Sequence, residues 1–378
     1  MKFGTAYSTL GDAYQAGREA AEKAVTVSGK PALTLIFTTD SYEHEVVLEA
    51  VKGIVGDSKI AGFCGGGVLF ANAMLQQAVA VATLSGTELR AVTSLQEGLS
   101  QDSHGAGRRA GEELLASGIS QGLVIVLPDG VSGNKTQMLG GLYDVMGPDF
   151  IYIGGASYVT PGLEQAYQFT EAGGRSDALV VALLEGVSIR AGIVHGWKPT
   201  KENLVITRSE GKRVYEIDGC PAFDIYSECL GAKTVDSFLK LGSQYPLGIP
   251  DFSGNFLIRD PASVNDDKSI NFGSEVPANL IAHIMEGNIK DQIEADKALI
   301  KAITKGGAEP PQFALVFDCI SRFRLMGEAF KEEVRIISES IGREIPVLGA
   351  LTSGEVGSFV GAPLFHNKSI AIAVLSGQ

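Results

Sequence analysis

Cysteine is scarce in this 378-residue chain and scattered where it occurs. Cys64, Cys220, Cys229 and Cys319 form no Cys-x-x-Cys pair, which argues against a zinc ribbon or a disulfide framework and for a reducing compartment. His44, His104, His195, His283 and His366 show neither His-x-x-x-His nor His-Glu-x-x-His spacing, so no metal site is read. No apolar run approaches the ~18 to 20 residues that span a bilayer. The start, Met1-Lys2-Phe3-Gly4-Thr5, lacks the charged and apolar regions of a signal peptide. Positive charge is also short: 31 Lys and Arg stand against 44 Asp and Glu, a net charge of −13. No basic run is longer than Arg108-Arg109 or Lys212-Arg213, which disfavours a polyanionic partner. These absences predict a cytoplasmic protein with no nucleic-acid or membrane partner.

What is present is a repeated pattern. Leu123-Val124-Ile125-Val126-Leu127 is an unbroken apolar run that reads as a buried strand. A polar loop follows, then helical spacing over Lys135 to Met146, then a second strand ending at Gly154-Gly155. Leu33 to Phe37, Glu43 to Val55 and Ile60 to Gly67 repeat the unit upstream. Phe313 to Phe317, Met326 to Ile341 and Val347 to Ala350 repeat it near the C-terminus. Each copy is followed by a further strand: Ala78 to Leu84, Ala178 to Leu184 and Ile370 to Leu375. Self-similarity dictates architecture, and this spacing is too long for a solenoid.

Between the units, Tyr14 to Val27 and Gly105 to Ala116 read as helices, and Ala78 to Leu84 with Leu89 to Leu95 as a hairpin. Asp218-Gly219-Cys220-Pro221 is turn chemistry and sets the expected boundary between domains 1–219 and 220–378. Beyond it, Ala222 to Leu241 reads as one helix, Tyr245 to Pro250 as irregular, and Ala278 to Thr304 as a long helix broken near Gly287. Asn255 to Asp260 and Ser269 to Phe272 read as an antiparallel pair. Hairpins mixed with helices predict an α/β fold with mixed or antiparallel sheets, helical layers and related units in two domains.

Several stretches carry chemistry. Gly130-Val131-Ser132-Gly133-Asn134-Lys135-Thr136 has part of a P-loop, but Asn134 replaces the glycine that must precede the lysine. What survives is a polar loop feeding a helix N-terminus, able to offer N–H groups to an anion. Gly154-Gly155 allows close backbone approach. Cys319 at a strand end near Arg322, with Glu355 and His366 on neighbouring loops, has the parts of a nucleophile, base and orienter. No Gly-x-Ser-x-Gly elbow or local cysteine-protease signature accompanies them. Alternatively, Arg322 and Glu355 are two halves of a clamp for a zwitterion.

Leu127-Pro128-Asp129-Gly130, Gly154-Gly155, His195-Gly196-Trp197 and Val214-Tyr215-Glu216-Ile217-Asp218-Gly219 resemble the N-terminal half of the FIST (F-box and intracellular signal transduction) family. Tyr245-Pro246-Leu247-Gly248, Phe256-Leu257-Ile258-Arg259, Cys319-x-x-Arg322, Gly354-Glu355 and His366-Asn367 resemble its C-terminal half, in the family's order. Ser321 stands where the family's pattern has glycine, and Ser353 where an aromatic is common. The resemblance implies a stand-alone sensory protein of signal transduction that binds a small molecule such as an amino acid. It carries no cofactor and passes its signal to a separate partner.

The combined expectation is a binder of an amino acid or similar small carboxylate, without catalysis. Arg322 and Arg259 hold the carboxylate, and Glu355 or Asp129 takes the amine. Gly154, Gly155, Cys319 and Asn367 shape the wall of a cleft faced by the strand ends. The alternatives are a hydrolase or transferase using Cys319 with His366 and Glu355, and a protein-interaction adaptor.

Overall fold

The structure, a computed structural model, describes residues 1–160, 165–251, 253–305, 309–358 and 361–377. The three units have one plan: strand, helix, parallel strand, hairpin, return strand. Unit 1 runs through Leu33–Thr38, His44–Val55, Lys59–Cys64, the hairpin Val68–Phe70 with Ala73–Leu75, and Val79–Ser85. Unit 2 runs through Gly122–Pro128, Lys135–Met146, Phe150–Gly155, Gln168–Thr170 with Gly173–Arg175, and Ala178–Glu185. Unit 3 runs through Phe313–Cys319, helices Ile320–Met326 and Phe330–Ile341, Val347–Thr352, Glu355–Gly357 with Leu364–His366, and Ile370–Gly377.

In each unit the first and second strands are parallel, and the return strand lies antiparallel on the other side of the first. The first strands are buried on both faces, which is why they read as continuous apolar runs rather than alternating ones.

Each hairpin leaves its own unit. That of unit 1 pairs with Val347–Thr352 of unit 3, that of unit 2 with Lys59–Cys64 of unit 1, and that of unit 3 with Phe150–Gly155 of unit 2. The opposite edges are covered by Lys2–Ser8, Arg90–Glu97 and Val187–Val194 on units 1, 2 and 3. The result is three six-stranded mixed sheets that interlock in a ring. The hairpin expected from Ala78 to Leu95 is therefore corrected. Its second strand crosses to the sheet of unit 2, because both edges of the unit 1 return strand are already paired.

The inner faces of the three sheets share one core. Phe37, Phe63 and Phe317 meet there, with ring centroids 5.0 to 6.2 Å apart, against Ile125, Leu127 and Ile153. Burying each such side chain stabilises by about 1.5–3 kcal/mol, so the three units hold one another as well as themselves. Helices cover the outer faces; Ala16, Ala20 and Ala24 of Ala13–Ser28 let that helix lie close on sheet 1.

Between units 2 and 3 the chain builds a fourth, antiparallel sheet. Lys198–Glu210 pairs with Arg213–Ile217 on one side and with Leu280–Glu286 on the other; Leu247–Pro250 pairs with Leu280–Glu286 and carries Phe256–Arg259 on its outer edge, while Ile270–Phe272 pairs with Arg213–Ile217. This sheet takes strands from both sides of the boundary expected at 219/220.

Several local expectations are corrected. Gly231, in the left-handed region at φ 65°, splits the expected 222–241 helix into Ala222–Leu230 and Val235–Gln244, the second restarted by a Thr234–Ser237 capping box. The expected 278–304 helix is a strand, Leu280–Glu286, then a helix, Ile289–Lys305. Pairing with Lys198–Glu210 overrides the local spacing. Leu247–Pro250, read as irregular, is a strand because Phe256–Arg259 and Leu280–Glu286 flank it. Ile270–Phe272 pairs with Pro261–Val264 instead of with Phe256–Arg259.

Candidate functional site

The C-terminal ends of the three second strands converge, as the repeat predicts, but they close on one another instead of facing an open cleft. The Gly66 N–H donates to the Leu351 carbonyl at 2.9 Å, Tyr158 N–H to Cys64 at 3.0 Å, and Ala156 N–H to Gly354 at 2.8 Å. Ser353 Oγ donates to the Ser157 carbonyl at 2.8 Å. Gly154 and Gly155 are part of this closure, since a Cβ on Gly155 would fall 2.4 Å from Thr352 Cγ2. Asn367 is buried beside it, its Nδ2 3.4 Å from the Ser353 carbonyl.

Cys319, Glu355 and His366 surround the same hub. Burial, and after it the Glu355 charge, pushes the Cys319 thiol above its ordinary value. Glu355 accepts from Thr352 Oγ1 and Ser369 Oγ, both at 2.7 Å; burial outweighs these bonds and raises its carboxyl to about 7. Burial pushes the His366 imidazole down to about 3, and Nε2 lies 3.3 Å from the Gly357 carbonyl. A protonated thiol and a weakly basic imidazole run opposite to what a nucleophile and its base require.

Arg322 and Glu355 are committed to different partners. The Arg322 guanidinium is fully buried and faces three carboxylates: Asp296 at 2.8 Å, Asp318 at 3.1 Å and Glu333. Asp129 likewise serves its own loop. Its Oδ1 accepts from the N–H groups of Val131 and Ser132 and its Oδ2 from Asp177.

Arg259 is different. It ends the strand Phe256–Arg259 and is 3% exposed, and no carboxylate among the described residues lies within ion-pairing distance of it. Carbonyl oxygens hold it instead: Glu275 at 2.8 Å from Nε, and Ile258 and Phe365 at 3.0 and 3.3 Å from Nη1. Burial, against the pull of the nearby Glu275 charge, lowers it to about 10, which leaves it charged at neutral pH. This guanidinium lines a cavity of about 570 Å³ between the helix Lys135–Met146 and the fourth sheet.

The cavity walls are mostly apolar, with Leu139, Tyr143, Ile249, Leu257, Val276 and Phe365 among them. The polar groups gather at one end. Glu275 accepts from Thr136 Oγ1 at 3.2 Å through Oε2, while its Oε1 is buried without a partner. Asn134 caps the helix by accepting from the Gln137 N–H, and Asn134, Thr136 and Gln137 all line the cavity. The helix N-terminus adds a favourable field for an anion. Lys135, buried next to this end, donates to the carbonyls of Ser132 and Gly133; burial pushes it down to about 7.

Residue type and spacing single out Arg259 and the polar loop before Lys135. Glu275 carries no such signal, because nothing in Ser274-Glu275-Val276-Pro277 shows that the chain passes Thr136 there. Of the expected residues, Gly154, Gly155, Cys319, Glu355 and Asn367 gather at the closed hub, while Asp129 and Arg322 serve the local networks described above. Arg259 alone among them lines this cavity.

Comparison with known proteins is decisive for the family. A sequence model of the FIST N domain matches residues 32–220, and one of the FIST C domain matches 222–358. The chain belongs to the FIST family. FIST domains are sensory domains of signal transduction, and the cavity takes residues from both of them. An uncharacterized protein of Methanocaldococcus jannaschii is 25% identical over 210 residues, covering 50% of this chain and 40% of that protein. The matched segment thus spans less than half of that relative.

Among solved structures, a cyanuric acid hydrolase from A. caulinodans aligns at 9% identity and TM-score 0.38, covering 100% of both chains. PurLQS from Thermotoga maritima aligns at 8% identity and TM-score 0.23, covering 100% of this chain and 72% of that one. Likeness at these scores says nothing about chemistry.

Proposed function

We propose that this FIST protein is a cytoplasmic sensor that binds a small amphipathic carboxylate, of the class of amino acids with large apolar side chains, in the cavity lined by Arg259 and Glu275. The carboxylate sits against the Arg259 guanidinium and the N-terminus of Lys135–Met146. An α-ammonium group meets Glu275, and the apolar walls take the side chain. The single observation that carries the reading is Arg259: a buried cation, held only by carbonyl oxygens, facing an apolar cavity. Such a charge is costly to bury; the Glu275 charge favours it only from beyond ion-pairing distance, and an anionic ligand would pair with it directly.

The cavity joins a helix of the FIST N segment to a sheet completed by the C segment. A ligand that grips both favours their joined arrangement, which is the differential affinity that a switch requires. No bond is made or broken in this reading; the signal passes to a separate partner protein. The four cysteines, all free thiols, support a reducing compartment in this reading.

Thermal unfolding against the amino acids and small carboxylates, one at a time, tests it. Ligand at about 100 times its dissociation constant stabilises by about 2.7 kcal/mol, a shift of several degrees. The expected result is a shift for Leu, Phe or Met, a smaller one in Arg259→Lys, and none in Arg259→Gln. No shift with any compound, or an undiminished shift in Arg259→Gln, overturns the proposal.

A further inference from the structure

The Arg259 cavity is longer than a free amino acid. Thr136, Leu139, Gly140 and Tyr143 all line it, and their i, i+3, i+4 and i+7 spacing makes them one face of the helix Lys135–Met146. Thr136 and Tyr143 are therefore about 10 Å apart along the helix, at about 1.5 Å per residue. The volume agrees with this length. About 570 Å³ suits a drug-sized molecule, and at the ~30 Å³ that one water occupies in the liquid it holds about 19 non-hydrogen atoms, roughly twice the number in leucine.

Gly140 stands in the middle of this helical face, and no packing contact among the described residues calls for a glycine there. A Cβ built on it would meet nothing within 4 Å. Gly141, next to it, and Gly107 of the facing helix Ser103–Leu115 are different. A Cβ on either would lie 2.0 Å from a carbonyl oxygen, that of His104 or of Met138, so the close packing of the two helices requires both. A glycine inside a helix costs stability. At position 140 what it leaves in return is open floor in the cavity.

Resting on the reading of this cavity as a carboxylate site, we propose that its full-length ligand is an N-acylated amino acid with a medium-length acyl chain. The carboxylate meets Arg259, the amide N–H takes the place of the ammonium group beside Glu275, and the chain runs over Gly140 towards Tyr143. A simple fatty acid brings the carboxylate but no donor for Glu275, which lines the same end of the cavity. A longer peptide brings an amide at every residue, and walls such as Ile249, Leu257, Pro277 and Pro363 give amides few partners. One amide at the polar end, near Asn134, Thr136 and Gln137, followed by an apolar chain matches the distribution of the lining.

Calorimetric titration of the full chain with leucine, octanoate, N-octanoyl-leucine and the methyl ester of the last tests the assignment. N-octanoyl-leucine should bind at least about tenfold more tightly than leucine, since each buried methylene adds affinity. Octanoate and the methyl ester should bind more weakly than N-octanoyl-leucine, the first for want of the N–H and the second for want of the carboxylate. Gly140→Leu fills the floor, meets no obstacle at its Cβ and improves helix propensity, so its ligand-free thermal midpoint should match or exceed the parent's. It should bind leucine as the parent does and lose the preference for the acylated compound. Equal affinity for leucine and N-octanoyl-leucine in the parent, or an undiminished preference in Gly140→Leu, would overturn this proposal and leave the Arg259 reading standing. Binding of neither compound, or undiminished binding of both in Arg259→Gln, would overturn the carboxylate reading and this proposal with it.

Discussion

Gly154 stands opposite Val126 in parallel register, and a Cβ built on it would lie 1.9 Å from the Val126 carbonyl oxygen. Gly62 has the same relation to Ile36, at 2.1 Å, and Gly349 to Val316, at 2.2 Å. One glycine in each unit thus lets the second strand approach the first more closely than any side chain permits. Since the obstacle is backbone, nothing can swing aside. Gly154→Ala should cost about 1–3 kcal/mol or more, the usual penalty of overpacking. Urea unfolding checks this: an unchanged midpoint would mean that the close approach is not needed.

The carboxylates around Arg322 set a pH dependence. Burial, against the pull of Arg322, raises Asp296 well above its ordinary value. Burial and then the Glu333 charge do the same to Asp318. A raised folded-state value means that the folded protein binds more protons than the unfolded chain. The stabilisation is therefore full below about pH 4, the unfolded value, and is lost as pH rises through the folded values. Asp318→Asn keeps the shape and removes the titration. Its stability relative to the parent should improve steadily from pH 5 to pH 8, as denaturant unfolding at several pH values would show.

Lys135 has the opposite sign. Its folded value, near 7, lies below the unfolded value of about 10.4, so its charge costs stability most at and below pH 7. Lys135→Met should gain stability relative to the parent at pH 6 and lose that gain as the pH approaches 10. A difference that does not vary with pH would show that packing, not charge, governs the site.

The thiols should fall into two classes. Cys220 and Cys229 are exposed, while Cys64 and Cys319 are buried. Burial pushes Cys64 up to about 12 and Cys319 higher still. Titration with a thiol reagent should count two fast cysteines in the folded protein and four after denaturation. Rapid alkylation of Cys319 at neutral pH would revive the cysteine-enzyme alternative.

A signalling role through the Arg259 cavity predicts a trade-off between binding and charge. Arg259→Gln leaves fewer donors for the carbonyls of Glu275, Ile258 and Phe365, yet it removes a buried charge. The opposing effects should leave the ligand-free midpoint within a few degrees of the parent while abolishing the ligand-induced shift. A protein that fails to fold without Arg259 would make the guanidinium a structural group rather than a receptor.

The amino-acid order by itself determined the three units, their apolar first strands and the glycines that end their second strands. Those features depend on local pattern: burial on both faces of a strand, helical spacing, and a backbone contact that excludes a Cβ. It also marked the polar loop before Lys135, and the two segments recognised as FIST. Only the tertiary structure decided that each hairpin is given to a neighbouring unit, because edge pairing joins residues as distant as Glu355 and Gly155 with no local signal. It likewise decided the fate of the arginines. Arg322 and Arg259 look alike in the chain, yet three carboxylates surround the first, whereas carbonyl oxygens and an apolar cavity surround the second. A side chain's charge is written in the sequence; what neutralises it depends on which distant strands and helices the fold brings against it.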